Sequence, residues 1–346
     1  MNKLFTIIAI AILGVSQSFA QGNGQDNYQI LQTISAARIA ALGGNAIAVK
    51  DGDLNLGLVA PSLLDSSSSG QIAFNYTRFF GEANITQIGY GHHFNEIGTV
   101  TFSIQNLGYG SFDLTDEAGN VQGTFSAGEY IFQAGIGRQL DKNFSLGANV
   151  KYIFSEMAEY KSSALAVDLA TTYFNPQKEF TATLLMKNVG SSLSSYTDNT
   201  DETLPFEIQM AISKKLSKAP LRFSLIGENL QQWDLTPESD DEVEIDPLTG
   251  EEVQVNPGGF GANLARHLVF NAEILLTKNF NLRFGYNYNR RQQLKIEERP
   301  GAAGITYGLG IRIAKIHLSY ARAAYSLAGI SNHFSLSVKF DDFKKS

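Results

Sequence analysis

The chain has no cysteine in 346 residues. Disulfides, Cys-ligated zinc or iron–sulfur centres and a thiol nucleophile are thereby excluded. Charge is also scarce: Asp, Glu, Lys and Arg make up 18% of the chain, and 27 Lys and Arg against 34 Asp and Glu leave no basic excess to hold nucleic acid. Long apolar runs are missing beyond the first twenty residues, where nothing approaches the roughly 18–20 unbroken apolar residues of a transmembrane helix. What is abundant is Gly (32), Phe (23) and Tyr (14), within 43% hydrophobic residues overall. That mixture fits an all-β chain that is apolar on alternate residues. Length alone suggests about two domains, although a barrel can exceed that size as one unit.

Lys3, the apolar run from Leu4 to Val15 and the small-residue pattern Ser18-Phe19-Ala20 predict a signal peptide over 1–20, cleaved after Ala20. The run is too short for a membrane anchor, and without cysteine there is no lipoprotein attachment. The exported chain must then be soluble or cross a membrane as strands.

From about Gln71 onward, segments of ten to fourteen residues alternate apolar and polar side chains, the period of a strand with two unlike faces. Phe144, Leu146, Ala148, Val150, Tyr152 and Phe154 share one face, and Ser145, Gly147, Asn149, Lys151 and Ser155 the other. Counting such segments predicts strands near 70–80, 84–94, 97–110, 127–140, 143–156, 160–174, 179–190, 204–216, 220–232, 263–276, 279–291, 301–313, 315–325 and 329–340. The even total of fourteen, and lengths near the 9–11 residues that cross a bilayer at a tilt, point to an antiparallel transmembrane outer-membrane β-barrel. Short turns, such as Asn95-Glu96, Asp141-Lys142 and Thr277-Lys278, alternate with longer connections at 111–126, 191–203, 233–262 and 292–300. Short periplasmic turns opposite long external loops are the rule for such barrels. Because lipid cannot satisfy backbone polar groups, the sheet must close. Apolar faces would then meet lipid, and Lys151, Asp168, Glu273, Arg283 and Arg312 would point inward.

The segment 21–69 differs. Ile30, Ile34, Ala37 and Ala41 stand at helical spacing and predict a helix over 29–42, stopped by Gly43-Gly44. A short strand over 46–49, a turn at Asp51-Gly52-Asp53 and an apolar piece over 54–64 follow. About forty residues cannot bury a core of their own, so this is an intraluminal plug or periplasmic segment, with the barrel over 70–346.

No residue pattern recommends catalysis or a cofactor. The five histidines stand in no metal or triad context, and His92-His93, adjacent in a strand, point to opposite faces. No nucleophile elbow, phosphate loop or His-Glu-x-x-His occurs. Gly135-Ile136-Gly137 and Gly308-Leu309-Gly310 lie within alternating strands, where small residues thin the wall. The most distinctive loop is 233–262. Trp233 opens it, and Asp234, Glu238, Asp240, Asp241, Glu242, Glu244, Asp246, Glu251 and Glu252 follow with no Lys or Arg up to Phe260. Alternation on both sides of Pro247-Leu248-Thr249-Gly250 reads as a protruding hairpin. Such a loop is either a solvated, self-repelling arm, a docking arm for a basic partner, or a calcium-binding loop. Trp233, Asp240, Asp241, Glu242, Glu244, Asp246, Glu251 and Glu252 are the candidate partner-binding residues.

The stretch from Ser35 to Val49, containing Ala41-Leu42-Gly43-Gly44, with Asp51-Gly52-Asp53 and Val59-Ala60-Pro61-Ser62-Leu63, resembles the opening of the PorV/PorQ branch of FadL-like barrels. Ala60 stands where members of that branch carry Asn before the proline. The resemblance implies a fourteen-stranded barrel in the type IX secretion system of Bacteroidota. It further implies a non-enzymatic anchor, in the outer membrane and its lipopolysaccharide, for the attachment complex of PorU, PorV and PorZ. There PorU is the sortase-like enzyme that processes cargo, so no catalytic residue carries over. The alternative expectation is a FadL-like transporter of hydrophobic compounds with residues 28–64 as its hatch.

Overall fold

The computed structural model describes residues 28–79, 81–197, 202–236, 243–245, 252–254, 259–294, 302–326 and 329–340. The expected signal peptide lies outside these residues. Fourteen strands close into one antiparallel barrel. In chain order they are β1 (Gln71–Arg78), β2 (Asn84–Phe94), β3 (Gly98–Thr115), β4 (Val121–Gln139), β5 (Phe144–Met157), β6 (Tyr160–Asn175) and β7 (Phe180–Ser194). The second half comprises β8 (Glu207–Lys215), β9 (Leu221–Gly227), β10 (Leu268–Ile274), β11 (Phe280–Asn287), β12 (Ile305–Ile313), β13 (Ile316–Ser326) and β14 (Gly329–Lys339). Each strand pairs with its neighbour in sequence, and β1 pairs with β14 from Gln71↔Lys339 to Arg78↔Asn332, which leaves no open edge.

The alternation in sequence becomes an inside-out distribution of polarity. Phe102, Phe132, Val150, Phe223, Phe270 and Phe334 stand exposed on the outer wall. Asn75, Thr101, Asn149, Ser155, Thr172 and His333 are fully buried on the inner one. A wall whose greasy face is the exposed one is stable against hydrocarbon and unstable in water. Lys151, Asp168, Glu273 and Arg283 are buried inward, as the alternation predicts, whereas Arg312 has inward parity but is exposed at the short-turn rim.

Residues 28–69 thread the lumen and are mostly buried there. Their regular structure is sparser than the pattern predicts. The 29–42 segment forms one 3-10 turn, Gln29–Leu31, and a short helix α1, Ala37–Ala41, because its amides bond the wall: Ala37 N–H donates to Ser335 Oγ at 2.8 Å. The expected strand over 46–49 is irregular, with Asn271 Nδ2 donating to the Asn45 carbonyl at 2.7 Å. Helix α2, Leu54–Val59, is capped by the Asp53 carboxylate, which accepts from Asn55 N–H at 3.0 Å, and two 3-10 turns follow, Pro61–Leu63 opened by Pro61 and Ser66–Ser68.

Several predicted strand ends are corrected, and the connection expected over 111–126 is largely the paired ends of β3 and β4. Strand β9 stops at Gly227 rather than continuing to 232, and Asn229 beyond it adopts φ 53°. Residues assigned to the start of the next strand form helix α3, Phe260–Arg266, and those at the end of the strand over 279–291 form helix α4, Tyr288–Gln293, capped by Asn287 Oδ1 accepting from Arg290 N–H. Asn188 within β7 likewise takes a left-handed φ of 57°, where the β6–β7 register shifts. Both positions use the left-handed conformation that asparagine tolerates.

Candidate functional site

The plug and inner wall meet at two unlike places. Towards the short-turn rim, Glu273 on β10 stands opposite Arg222 on β9 and opposite Arg283 on β11. Sheet register thus brings one carboxylate between two guanidiniums, at 2.8 Å from Arg222 and 3.3 Å from Arg283. The plug inserts a third, Arg38 of α1, at 2.9 Å from Glu273. Arg38 also reaches Asp51 at 2.7 Å and Asp53 at 3.0 Å, and Asp51 returns to Arg222 at 3.0 Å. Three arginines and three carboxylates close a neutral network. Although burial would raise it, the Arg38 and Arg222 guanidiniums hold the Asp51 carboxyl far below the usual carboxylate range. The network is a latch: it fastens the Asp51-Gly52-Asp53 turn and α1 to three adjacent strands.

Backbone contact reinforces the latch. At Gly285 on β11 an added Cβ would lie 1.9 Å from the Gly43 nitrogen, and Gly43 itself has φ +67°. Only glycine at both positions lets plug and wall approach so closely. Gly308 faces Ala41, and Gly137 and Gly147 face Pro61, in the same way. These wall glycines mark where the plug lies against the strands.

Towards the long-loop rim, on the side of β2 to β6, plug and wall share an apolar cluster. Ile85, Leu107, Ile131 and Ile153, projecting inward from β2 to β5, surround Tyr28, Ile30 and Leu31, the first described residues of the plug. Ala164 and Ala166 on β6 complete the chamber, with Phe79, Tyr109 and Leu204 packed around it. Two carboxylates sit at its edge. Glu129 accepts from Ile30 N–H at 3.0 Å and Tyr109 Oη at 2.5 Å. Glu202 accepts from Tyr28 Oη at 3.0 Å, Tyr196 N–H at 2.8 Å and the Ser162 hydroxyl. Burial pushes the Tyr28 phenol up to about 12. Tyr28, Ile30 and Leu31 of the plug thus fill an apolar chamber edged by hydrogen-bond donors and acceptors.

A third inward cluster lies between these. Lys151 on β5 meets Asp168 on β6 at 2.6 Å and donates to Asn188 Oδ1 at 3.0 Å, while Asn188 N–H donates to Asp168 at 2.9 Å. The bulge at Asn188 supplies the extra amide this pair uses.

Of the candidate partner-binding residues, Trp233 is described. It is exposed, and its ring packs 5.1 Å from Phe260 of α3 and 5.6 Å from His267. The backbone of the acidic hairpin pairs as expected, Val243–Ile245 against Glu252–Gln254, which places Glu244 and Glu252 on facing strands. Asp240, Asp241, Glu242, Asp246 and Glu251 lie outside the described residues. Residue patterning picked out Glu273 and Arg283 as inward charges but passed over Arg38, Arg222 and the apolar chamber. The Asp51-Gly52-Asp53 turn was the one local signal of the latch.

A closed antiparallel barrel of fourteen strands with an N-terminal segment inside it is the architecture of FadL-like outer-membrane barrels. The Ralstonia pickettii toluene transporter TbuX shares this fold with the chain at a TM-score of 0.52 and 10% identity, over 90% of this chain and 100% of that one. A FadL homologue of Pseudomonas aeruginosa (TM-score 0.45, 11% identity, 88% and 98% covered) and the Pseudomonas putida toluene transporter TodX (0.44, 12%, 87% and 96%) are also similar. No family model and no curated protein matches the sequence.

Proposed function

We propose that this chain is an outer-membrane transporter for small hydrophobic compounds, with residues 28–69 as its hatch. The observation that carries the reading is the apolar cluster at the long-loop end of the lumen, where Ile30 and Leu31 of the plug pack against Ile85, Leu107, Ile131 and Ile153 of the wall. Burying one such side chain is worth about 1.5–3 kcal/mol, so an apolar solute of similar area can take their place at little net cost. The hatch would then move while its base stays latched through Arg38. TbuX and TodX, named for toluene transport, are consistent with that use of the fold. The test is uptake of radiolabelled toluene by intact cells expressing the protein. Ile131→Asn with Ile153→Asn should cut uptake at least tenfold by making the chamber polar, and Ile30→Ser with Leu31→Ser should raise it by weakening the plug's own claim. Uptake no greater than in cells without the protein removes the reading.

A second reading is favoured by one observation: the Ala41-Leu42-Gly43-Gly44 segment, which carries the likeness to the PorV/PorQ branch, makes the tightest plug–wall contact. A plug so fixed suits a static scaffold. On that reading the chain is a PorQ-type anchor of the type IX secretion attachment complex, and its acidic arm, with Trp233 at the base, holds PorZ beside PorU and PorV. Co-purification of those partners from native membranes, and their loss on deleting 238–256, is the measurement that separates it from transport.

A further inference from the structure

Outside the lumen, the wall formed by β8 to β12 has a hollow that the alternation alone does not explain. Cross-strand register lines up Lys214, Phe223, Ala272 and Phe284 in one outward row. The next outward row is Ile212, Leu225, Phe270, Tyr286 and Ile305. In the first row a single methyl group, Ala272, stands between two phenyl rings, and the surface sinks there into a groove of about 670 Å³ walled by both rows. The groove is apolar along its length and cationic at one end. Lys214, exposed at the short-turn side, donates a hydrogen bond to the Lys178 carbonyl. Lys178, Lys218 and Lys278 stand exposed on the adjacent short turns, and the one carboxylate in those turns, Glu179, is engaged by Lys215 at 3.0 Å.

We propose that this groove binds one anionic phospholipid of the leaflet around the short-turn rim, its acyl chain over Ala272 and its phosphate against Lys214. Three features select a lipid. The lining continues the hydrocarbon-facing surface without a break. The lone charge sits where the wall leaves the hydrocarbon, beside further lysines that complement a phosphate. From β8 to β12 there are four inter-strand steps of about 4.8 Å, about 19 Å along the sheet; at a strand tilt near 45° that is about 13 Å along the membrane normal, comparable to one leaflet's share of a roughly 30 Å hydrocarbon core. Strand length gives the lipid a purpose. Seven residues rising about 3.3 Å each at a tilt near 45° cover about 16 Å of bilayer, short of the roughly 25 Å apolar band. A lipid held against β9 and β10 seals that shallow stretch whether or not the lumen conducts.

The test is native mass spectrometry of the full chain in detergent with added dioleoylphosphatidylglycerol. The wild-type protein should retain one lipid, and Ala272→Trp, which fills the hollow, should lower retention at least tenfold. Ala272→Leu gives the same reading if the larger ring hinders folding. Lys214→Gln should weaken retention about fivefold, the worth of one lysine near a membrane surface, and should weaken the already lower retention of dioleoylphosphatidylcholine, whose choline offsets its phosphate charge, by a smaller factor. Val150→Trp on the outer face of β5 should leave retention unchanged. Equal retention by Ala272→Trp and wild type, or equal loss in Val150→Trp, overturns the site. Displacement by inorganic phosphate alone, or a dimer of the chain that Ala272→Trp abolishes in place of the lipid, also overturns it.

Discussion

The barrel has two unequal walls. Strands β3 to β7 run 14 to 19 residues, whereas β8 to β11 run 7 to 9. The long wall contains its own inward charge: Lys151 and Asp168 neutralise each other within two neighbouring strands, supported by Asn188. The short wall does not. Arg222 and Arg283 outnumber Glu273, and Arg38 of the plug adds a further cation, so neutrality waits on Asp51 and Asp53. The long wall thus balances its Lys151–Asp168 pair within the sheet, while the short one is balanced by what lies inside it and, on the lipid proposal, sealed by what lies outside.

The sharpest way to break this contrast is to remove the shared carboxylate. Glu273→Gln leaves three buried guanidiniums facing two aspartates and should destabilise the barrel by about 3–5 kcal/mol. Its counterpart Asp168→Asn should cost less, about 1–3 kcal/mol, because a stranded lysine can give up its proton and a guanidinium cannot. Thermal unfolding in detergent, followed by the loss of the heat-modifiable band, measures both. Equal losses would mean that the two walls do not differ in this respect.

Next in size is plug docking on the short wall. Gly285→Ala drives a Cβ into the Gly43 backbone and should cost about 1–3 kcal/mol through overpacking, seen as faster proteolysis within residues 28–69. Gly108→Ala on the long wall, where the nearest atom is 3.7 Å from the added Cβ, should leave proteolysis unchanged.

Acid separates the latch from Glu228, which stands just beyond the other, long-loop end of β9. The Asp51 carboxyl is depressed in the folded chain, so its contribution is fully present above the ordinary aspartate range near pH 4 and is lost as pH falls below it. Burial raises the Glu228 carboxyl, so its contribution runs the other way, falling as pH rises above the ordinary glutamate range. Protease access to the plug should therefore increase between pH 4 and pH 2, and Asp51→Asn should flatten that dependence. An unchanged profile in the variant would remove Asp51 from the latch. The smallest effect is at the long-loop rim, where Lys161 meets Glu156 at 3.1 Å in solvent. Lys161→Ala should move stability by no more than about 0.5 kcal/mol.

How much of this was legible in the chain depends on how local the cause is. Phe144 to Phe154 alternate against Ser145 to Ser155, and each side chain's face follows from its neighbour two residues away. The fourteen-strand barrel and its short and long ends could be read at that range. The strand ends near 230, 263 and 290 could not, because Leu264 and Tyr288 keep an apolar rhythm while α3 and α4 turn them out of the sheet. The plug's helical spacing misled in a similar way: Ile30, Ile34 and Ala37 face different wall residues, and no single helical stripe faces a core. The latch joins Arg38 to Glu273 across 235 positions. No window along the chain contains both.

The sequence by itself therefore determined which side chains meet lipid and which meet the lumen, since a period of two is enforced within each strand by its own backbone. Tertiary structure alone decided which inward groups meet one another. Partnership across a lumen requires the sheet to close, the register to settle on every strand, and the plug to thread the ring, and all three are properties of the whole barrel rather than of any segment.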